Sequence, residues 1–301
     1  MIQDRKNRLR RTMMFLSAQR PALVKDAYIY KPDSVMFDLE DAVAENQKDA
    51  ARFSLYHALK TVDYGDVERI VRINGLDTPH WREDIRAAVA GGADAIRIAK
   101  CESAGDVHVV EAAIEEAELE FHTEAGFTLI MAAIESPRGV LNAGTICEAS
   151  QRLFGIAISG GDFRKSMQTQ YSPSGVEMLV ARGQLLIAAR AAGVQCFDTV
   201  FTDLDDMEGF KTEVLLIKDM GFDGKSIVSP RQIRIVHDVF TPSEAEIREA
   251  ERIVRAYKEN SEKGVGVFTL DGKMLDIAFV PGAERILAIA EACGLIRRDG
   301  L

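Results

Sequence analysis

The sequence predicts an α/β protein built on a TIM (β/α)8 barrel, with a C-terminal helical and hairpin extension. Eight short apolar runs rich in β-branched residues alternate with helical segments along residues 12–228. Four of these runs end at a segment that carries an acid or an arginine. The chain has 301 residues, which suits a barrel of roughly 250 residues with an appendage.

The predicted strands are short and apolar, and the segments between them are amphipathic or rich in alanine. The strands are Thr12–Leu16, Ser34–Leu39, Arg69–Ile73, Ala95–Ile98, Thr128–Ala133, Leu153–Ser159, Gln195–Thr199 and Gly224–Val228. The clearest predicted crossover helices are Gln47–Leu59, Asp84–Ala90, Ala104–Glu120 and Gly175–Ala192. Such alternation favours a parallel sheet.

Charged residues recur where predicted strands two, three, five and six end. The segments are Phe37–Asp41, Val71–Asn74, Ile134–Gly139 and Ile158–Asp162. A flat doubly wound sheet is the alternative architecture, but it usually presents ligand-binding groups mainly at one switch point. A barrel brings the carboxyl ends of all its strands around one opening. The four segments therefore favour a barrel with one active site.

The pattern changes after the eighth predicted strand. Ser243 and Glu246 form a capping-box pattern at the start of a charged helix that runs to about Lys258. A hairpin with an Asp271-Gly272 turn is predicted next, before a final helix at Pro281–Cys293. We expect a catalytic barrel domain over residues 1–230 and a lid and oligomerisation segment over residues 231–301.

Composition and charge exclude several classes of protein. Apolar residues make up 47% and charged residues 28% of the chain, which is typical of a folded globular protein. The net charge of -10 argues against nucleic acid as a main partner. A basic cluster near the N-terminus is the exception, and we interpret it as a solvated lead-in to the first strand, with contact to an anionic partner as the alternative. Its members are Arg5, Lys6, Arg8, Arg10 and Arg11.

Cysteine spacing and hydropathy bear on the compartment. The four cysteines, Cys101, Cys147, Cys196 and Cys293, contain no CxxC pair, so they indicate reduced thiols rather than a zinc site or a disulfide framework. No apolar run approaches the roughly 20 residues that span a bilayer, and the N-terminus lacks a signal-peptide pattern. We expect a cytoplasmic protein without a membrane partner.

Several motifs in a fixed order resemble the β subunit of citrate lyase and related magnesium-dependent lyases of 3-hydroxyacyl thioesters, within the HpcH/HpaI aldolase/citrate lyase superfamily. The resemblance extends from Arg10 almost to the C-terminus. The segments that carry it are Phe37–Val43, Val71–Asp77, Gly92–Ile98, Ile134–Val140, Phe197–Thr202, Gly221–Ile233 and Gly264–Asp276. The resemblance implies Mg²⁺ as cofactor and carbon–carbon cleavage of an acyl thioester.

The resemblance implies that Glu135 and Asp162 hold the metal. Mg²⁺ prefers oxygen ligands and often takes one or two carboxylates together with water and substrate oxygens. Glu135 is also implied to bind substrate through this metal. Without the resemblance, both acids could instead be ordinary helix-capping residues.

Arg72 corresponds to the family's arginine that binds the carboxylate of the 2-oxo-acid half of the substrate, and we assign it a catalytic and substrate-binding role. A guanidinium suits a carboxylate because it presents paired donors and stays charged. The alternative is a structural ion pair with the neighbouring acids. Glu40 and Asp41 are candidate catalytic acids close to the metal, while Asp38 is as readily explained as a structural residue.

Asp276 corresponds to an aspartate that related lyases carry on the C-terminal lid and insert into a neighbouring subunit's active site. The resemblance implies that it protonates the enolate carbon, and that the protein is a homo-oligomer with lids exchanged between subunits. The alternative is an ordinary turn residue.

The predicted reaction is retro-Claisen cleavage of a citryl- or citramalyl-type thioester, carried by CoA or an acyl-carrier protein, to a 2-oxo acid and an acetyl thioester. The class is an oxo-acid lyase, and other citrate lyase subunits are possible partners. Gly161 stands where close citrate lyase β chains usually carry an acid. This departure leaves two alternatives open: a free-standing citramalyl-CoA or malyl-CoA lyase, and a non-catalytic subunit that binds CoA or a carrier protein.

Overall fold

The computed structural model of the protein describes residues 2–297. The chain divides into two compact units, one extending to Val236 and the other beginning at His237. In the first unit, strands β1 to β8 are all parallel and pair in sequence order. The pairing of β1 with β8 closes the barrel, as in Met13 opposite Ser226. The predicted fold class is confirmed.

The barrel strands lie where the sequence predicts them, with each end within one residue. They are Thr12–Ser17 (β1), Ser34–Asp38 (β2), Glu68–Arg72 (β3), Ala95–Ile98 (β4), Leu129–Ile134 (β5), Leu153–Ile158 (β6), Gln195–Asp198 (β7) and Gly224–Ile227 (β8). Their apolar side chains are almost all fully buried. Such runs follow from a parallel sheet that is covered on both faces.

Helices connect the strands and continue into the second unit. The α-helices described are Ile2–Lys6 (α1), Pro21–Lys25 (α2), Lys48–Thr61 (α3), Trp81–Gly91 (α4), Ala104–Glu120 (α5), Pro137–Leu141 (α6), Ala143–Cys147 (α7), Gly160–Ser166 (α8), Val176–Ala192 (α9), Met207–Met220 (α10), Ile233–Phe240 (α11), Glu244–Glu262 (α12) and Val280–Ala292 (α13). Short 3-10 helices span Ala27–Tyr30, Glu45–Gln47, Pro230–Gln232 and Ile277–Phe279. No helix among residues 2–297 has both the length and the apolar character needed to cross a bilayer.

The barrel interior is filled by one apolar cluster. Its buried members are Met13, Met36, Ile70, Ala95, Leu129, Met131, Phe154, Ala157 and Phe197. Because side chains alternate along a strand, the residue two positions further on also points inward. The next inward layer, toward the carboxyl ends of the strands, is where the polar residues begin.

The amino ends of the strands are closed by buried ion pairs that involve the basic N-terminal cluster. Arg10 is fully buried and donates from Nε and Nη2 to the two carboxylate oxygens of Glu68, both at 2.7 Å. Arg11 pairs with Asp33 at 2.8 Å. The expectation of a solvated lead-in is therefore wrong for these arginines, because acids that precede or begin β2 and β3 bind them.

The second unit has its own apolar core and a hairpin. Strands Phe268–Leu270 (β9) and Lys273–Leu275 (β10) pair antiparallel around the predicted Asp271-Gly272 turn. Both turn residues have positive φ, 47° and 78°, as a type I′ turn requires. The capping box of α12 is also present. The apolar core of the second unit comprises Ile247, Ala250, Ala283, Leu287 and Ala290.

Candidate active site

A cavity of ≈ 380 Å³ opens at the carboxyl ends of the barrel strands. Its polar lining follows from the alternation of side chains described above. Asp38, Arg72 and Arg97 each stand two residues beyond an inward-facing residue of the apolar cluster, namely Met36, Ile70 and Ala95. Three adjacent strands therefore place one charged group each in the same layer. Asp41, Glu135 and Asp162 line the same cavity.

Arg72 is held by acids of the neighbouring strand. Its Nε and Nη2 donate to the two oxygens of Asp38 at 2.8 and 2.7 Å, and Nη1 lies 3.0 Å from Oε2 of Glu40. Burial lowers the pKa of Arg72, but Asp38 and Glu40 outweigh it and raise the pKa above its usual value. Each Nη carries a second hydrogen, so Arg72 can bind a ligand while these pairs persist.

Asp38 organises the loop after β2. Besides Arg72, its carboxylate accepts hydrogen bonds from the backbone N–H groups of Glu40 at 2.9 Å and Ala42 at 3.2 Å. Burial raises the pKa of Asp38, but Arg72 and these amides together bring it below its usual value. Asp38 thus fixes Arg72 on one side and the Glu40-bearing loop on the other, which supports a structural role.

Glu40 and Asp41 occupy different environments although they are adjacent. Glu40 is 4% exposed and binds the Nζ of Lys100 at 2.5 Å as well as Arg72. The side chain of Asp41 is 60% exposed, lines the cavity and lies 3.6 Å from Lys100. Glu40 is therefore a positioning residue for two cations, whereas Asp41 is open to a ligand.

Glu135 follows β5 and is the most unusual acid of the cavity. It is 3% exposed, and neither carboxylate oxygen has a partner within ordinary hydrogen-bond geometry among residues 2–297. Burial raises the pKa of Glu135 to about 7, against the opposing charges of Arg72 and Arg97. A buried carboxylate without partners is costly, so its oxygens are available for a ligand.

Asp162 stands in the first turn of α8, directly after β6. The turn is tight because the Gly160 N–H donates to Oγ1 of Thr199 at 2.8 Å, and a Cβ at Gly160 would lie 3.0 Å from that same atom. Gly161, in contrast, lines the cavity and has open space where a Cβ would be. The half-buried Asp162 is thus presented to the cavity by a constrained turn.

The donor set at this opening fits a hard divalent cation. Glu135 supplies a buried carboxylate that lacks partners, and Asp162 supplies a second carboxylate in the same cavity. Among residues 2–297, no group of three or more His, Cys, Asp or Glu side chains could hold a metal. Two carboxylates completed by water and substrate oxygens match the way Mg²⁺ binds in enzymes.

Arg97 is the cavity residue that the sequence analysis missed. It is 1% exposed, and Nη2 donates to Oγ of Ser159 at 2.9 Å. Burial, helped by repulsion from Arg72, lowers the pKa of Arg97 to about 10. A usable signal was present: Arg97 interrupts an apolar strand at the same parity as Arg72, which it faces across the β3–β4 pairing.

Asp276 belongs to the second unit. It caps the 3-10 helix Ile277–Phe279, and its Oδ1 accepts a hydrogen bond from the backbone N–H of Ala278 at 2.9 Å. Exposed apolar side chains surround it along the chain: Met274, Ile277 and Phe279 are 72%, 64% and 48% exposed. The structure thus gives Asp276 a local capping role, and its catalytic role stays a prediction.

Comparisons with known proteins agree with the geometry. The HpcH/HpaI aldolase/citrate lyase family model matches residues 11–230. The citrate lyase subunit beta of Leuconostoc mesenteroides subsp. cremoris is 50% identical over 97% of both chains. A (3S)-malyl-CoA thioesterase of Cereibacter sphaeroides is 37% identical over 95% of this chain and 96% of that protein.

Solved structures give the same result. The crystal structure of the protein CitE from Mycobacterium tuberculosis, in complex with magnesium, acetoacetate and coenzyme A, is similar with a TM-score of 0.74 and 28% identity. The match covers 94% of this chain and 98% of that one. Fold, cavity and sequence together show that this chain belongs to the HpcH/HpaI aldolase/citrate lyase family.

Proposed function

We propose that this protein is a Mg²⁺-dependent carbon–carbon lyase of the citrate lyase β subunit type. It cleaves a 3-hydroxyacyl thioester to a 2-oxo acid and an acetyl thioester. The observation that carries the proposal is the buried carboxylate of Glu135, which has no hydrogen-bond partner in the described chain and shares a cavity with Asp162 and Arg72. Relatives named as citrate lyase β subunits and a magnesium-bound structural relative support it.

Glu135 and Asp162 are the residues that would hold Mg²⁺. When bound, the ion acts as a Lewis acid that lowers the pKa of the substrate hydroxyl and favours the developing carbonyl. The presence of a cation also removes the cost of ionising Glu135 in a buried site. A non-catalytic scaffold would gain nothing from keeping this carboxylate buried and unpartnered.

The other cavity residues orient the substrate and move protons. Arg72 binds the carboxylate next to the hydroxyl through its remaining Nη hydrogens, and Asp38 and Glu40 hold its guanidinium in place. Asp41 is our candidate for the group that takes the hydroxyl proton, because it is exposed to the cavity. The C2–C3 electron pair then becomes the thioester enolate, which must gain a proton at C2.

Asp276 is our candidate for the acid that delivers this proton from a neighbouring subunit. The exposed apolar residues beside it support burial against another surface when subunits assemble. Mixing Asp276→Ala with Glu135→Ala protein tests the exchange. If lids cross between subunits, mixed oligomers regain activity at about a quarter of the sites. Unrestored activity in demonstrably mixed oligomers would contradict it.

A second candidate is a free-standing thioesterase that acts on a CoA thioester. The relatives named (3S)-malyl-CoA thioesterase and the coenzyme A in the solved structure favour it. The two functions differ in their products. A thioesterase releases the free hydroxyacid and thiol, whereas a lyase releases a 2-oxo acid and leaves the acetyl thioester intact.

The test measures oxaloacetate, pyruvate and glyoxylate released from citryl-, citramalyl- and malyl-CoA, with and without Mg²⁺. We expect Mg²⁺-dependent release of one 2-oxo acid, reduced about 10³-fold by Glu135→Ala because a metal supplies several kcal/mol of transition-state stabilisation. Glu120→Ala, at an exposed acid of α5, is the matched control. Unchanged release by Glu135→Ala would contradict the assignment, and release of thiol without a 2-oxo acid would favour the thioesterase.

A further inference from the structure

We propose that Arg97 binds a second carboxylate of the substrate and makes the enzyme selective for thioesters whose cleavage releases a dicarboxylic 2-oxo acid. The inference rests on the proposed lyase function and deepens it. It assigns a specificity role to a residue that neither the metal site nor the Arg72 carboxylate site requires.

The first support is the state of the Arg97 side chain. It is almost completely buried, lines the cavity, and has no hydrogen-bond partner at Nε or Nη1 within residues 2–297. Its remaining nitrogen, Nη2, donates a hydrogen bond to Oγ of Ser159. A buried guanidinium is normally paired, because desolvation of an uncompensated cation is costly. An anionic ligand would supply the missing partner.

The second support is the pairing of charged side chains around the cavity. Asp38 and Glu40 are matched by Arg72 and Lys100, each pair in direct contact. A divalent cation between Glu135 and Asp162 would match the charges of those two acids. Arg97 is then the buried cation that no acid of the cavity contacts as an ion pair. Asp41, the remaining acid of the cavity, is 60% exposed and lies 3.6 Å from Lys100, so a carboxylate on the ligand would supply the direct partner that Arg97 lacks.

The third support is the relative position of the two arginines. Arg72 and Arg97 pair across β3 and β4, and their guanidinium carbons lie 5.1 and 5.2 Å from the centre of the Phe15 ring. Two cations on neighbouring strands above one aromatic ring suit two carboxylates of one small molecule.

The substituent on C3 of the substrate decides whether this second carboxylate exists. A citryl thioester carries a carboxymethyl group there and releases oxaloacetate. Citramalyl and malyl thioesters carry a methyl group and a hydrogen, and release the monocarboxylates pyruvate and glyoxylate. Arg97 therefore favours the citryl class among the thioesters that the metal site accepts.

The binding experiment titrates the full-length protein in Mg²⁺ with oxaloacetate or pyruvate by calorimetry, in wild type, Arg97→Met and Arg97→Lys. We expect Arg97→Met to weaken oxaloacetate binding about 10- to 100-fold, the range for losing hydrogen bonds to a charged group. Pyruvate binding should change less than about threefold, since it lacks the second carboxylate. Arg97→Lys should retain part of the preference for oxaloacetate over pyruvate. It replaces Arg97→Met in the experiment if the methionine variant misfolds.

A stability readout separates a binding role from a structural one. Because Arg97 lacks an ion-pair partner, Arg97→Met should leave the ligand-free protein's unfolding midpoint unchanged or higher. The matched control is Arg152→Met, at a buried arginine that contacts Glu118 at 2.8 Å, and it should lower the midpoint. Equal weakening of oxaloacetate and pyruvate binding, or a lowered midpoint with an unchanged preference, would overturn the proposal.

Turnover distinguishes failure of this inference from failure of the proposed function. A wild type that cleaves citryl-CoA in preference to citramalyl-CoA, and an Arg97→Met variant that keeps the same preference, would refute the role of Arg97 alone. A wild type that cleaves no thioester, yet binds oxaloacetate over pyruvate through Arg97, would refute the lyase while supporting the dicarboxylate site.

Discussion

The two ends of the barrel use the same residue types in opposite ways. At the amino ends of the strands, Arg10 meets Glu68 through two hydrogen bonds, and Arg152 meets Glu118 in the same manner. At the carboxyl ends, Glu135 has two oxygens and Arg97 two nitrogens without a hydrogen-bond partner among residues 2–297. Both ends contain buried charges. The arginines at the amino ends are paired with acids, whereas Glu135 and Arg97 at the carboxyl ends are not, within the described chain.

This difference separates residues kept for folding from residues kept for function. A bidentate buried pair contributes to stability only while both partners remain. Unpaired groups resist ionisation instead: burial raises the pKa of Glu135 to about 7 and lowers the pKa of Arg97 to about 10. A ligand of the kind proposed above would offset that cost at the mouth of the barrel.

The largest expected effect comes from breaking a pair at the amino ends. Arg10→Met should lower the free energy of unfolding by about 3–5 kcal/mol, because it leaves the Glu68 carboxylate buried without its cation. Urea denaturation measures this. The control is Arg86→Met, which breaks an exposed pair with Glu120 and should cost less than about 1 kcal/mol. Equal losses of unfolding free energy in Arg10→Met and Arg86→Met would contradict the difference between buried and exposed pairs.

Removing an unpaired charge at the mouth of the barrel should raise the free energy of unfolding instead of lowering it. The folded-state pKa of Glu135 lies above its unfolded value of 4.5, so the folded protein binds the extra proton and wild-type stability falls as pH rises from 4.5 to about 7. Glu135→Gln abolishes this dependence and should be more stable than wild type by about 3 kcal/mol above pH 7. The difference should vanish near pH 4, which denaturation at several pH values would show.

The same substitution tests the metal site without an activity assay. Mg²⁺ should raise the wild-type unfolding midpoint more at pH 8 than at pH 6, because binding requires the ionised carboxylate. Glu135→Gln should lose this response. A Mg²⁺ effect that is independent of pH and survives in the variant would place the ion elsewhere.

The smallest expected effect concerns the two glycines before Asp162. Gly161→Asp should change stability by less than about 0.5 kcal/mol, since its Cβ meets open space, and should raise Mg²⁺ affinity because it adds an acid to the cavity lining. Gly160→Ala should cost about 1 kcal/mol, because its Cβ would approach the Thr199 hydroxyl. Reversed costs would show that the turn after β6 is arranged differently.

Local pattern was sufficient for the elements of this fold. Each barrel strand was predicted to within one residue, and the Asp271-Gly272 hairpin was predicted from turn chemistry alone. Glu135, which directly follows β5, and Arg72, which is the last residue of β3, could be identified because each interrupts an apolar run at its end. Arg97 was missed because it lies inside β4, where a charged residue gives no end-of-strand signal.

The sequence by itself determined the alternation of strands and helices, the family, and which acids stand at strand ends, because these depend on neighbours along the chain. Tertiary structure decided which charges are paired. Arg10 and Arg97 are both buried arginines. Arg10 binds Glu68, 58 residues away, whereas two nitrogens of Arg97 have no hydrogen-bond partner in the described part of the chain. Pairing depends on which side chains the closed barrel brings together. Residues far apart in the chain become neighbours in this way, so the local sequence does not reveal the pairs.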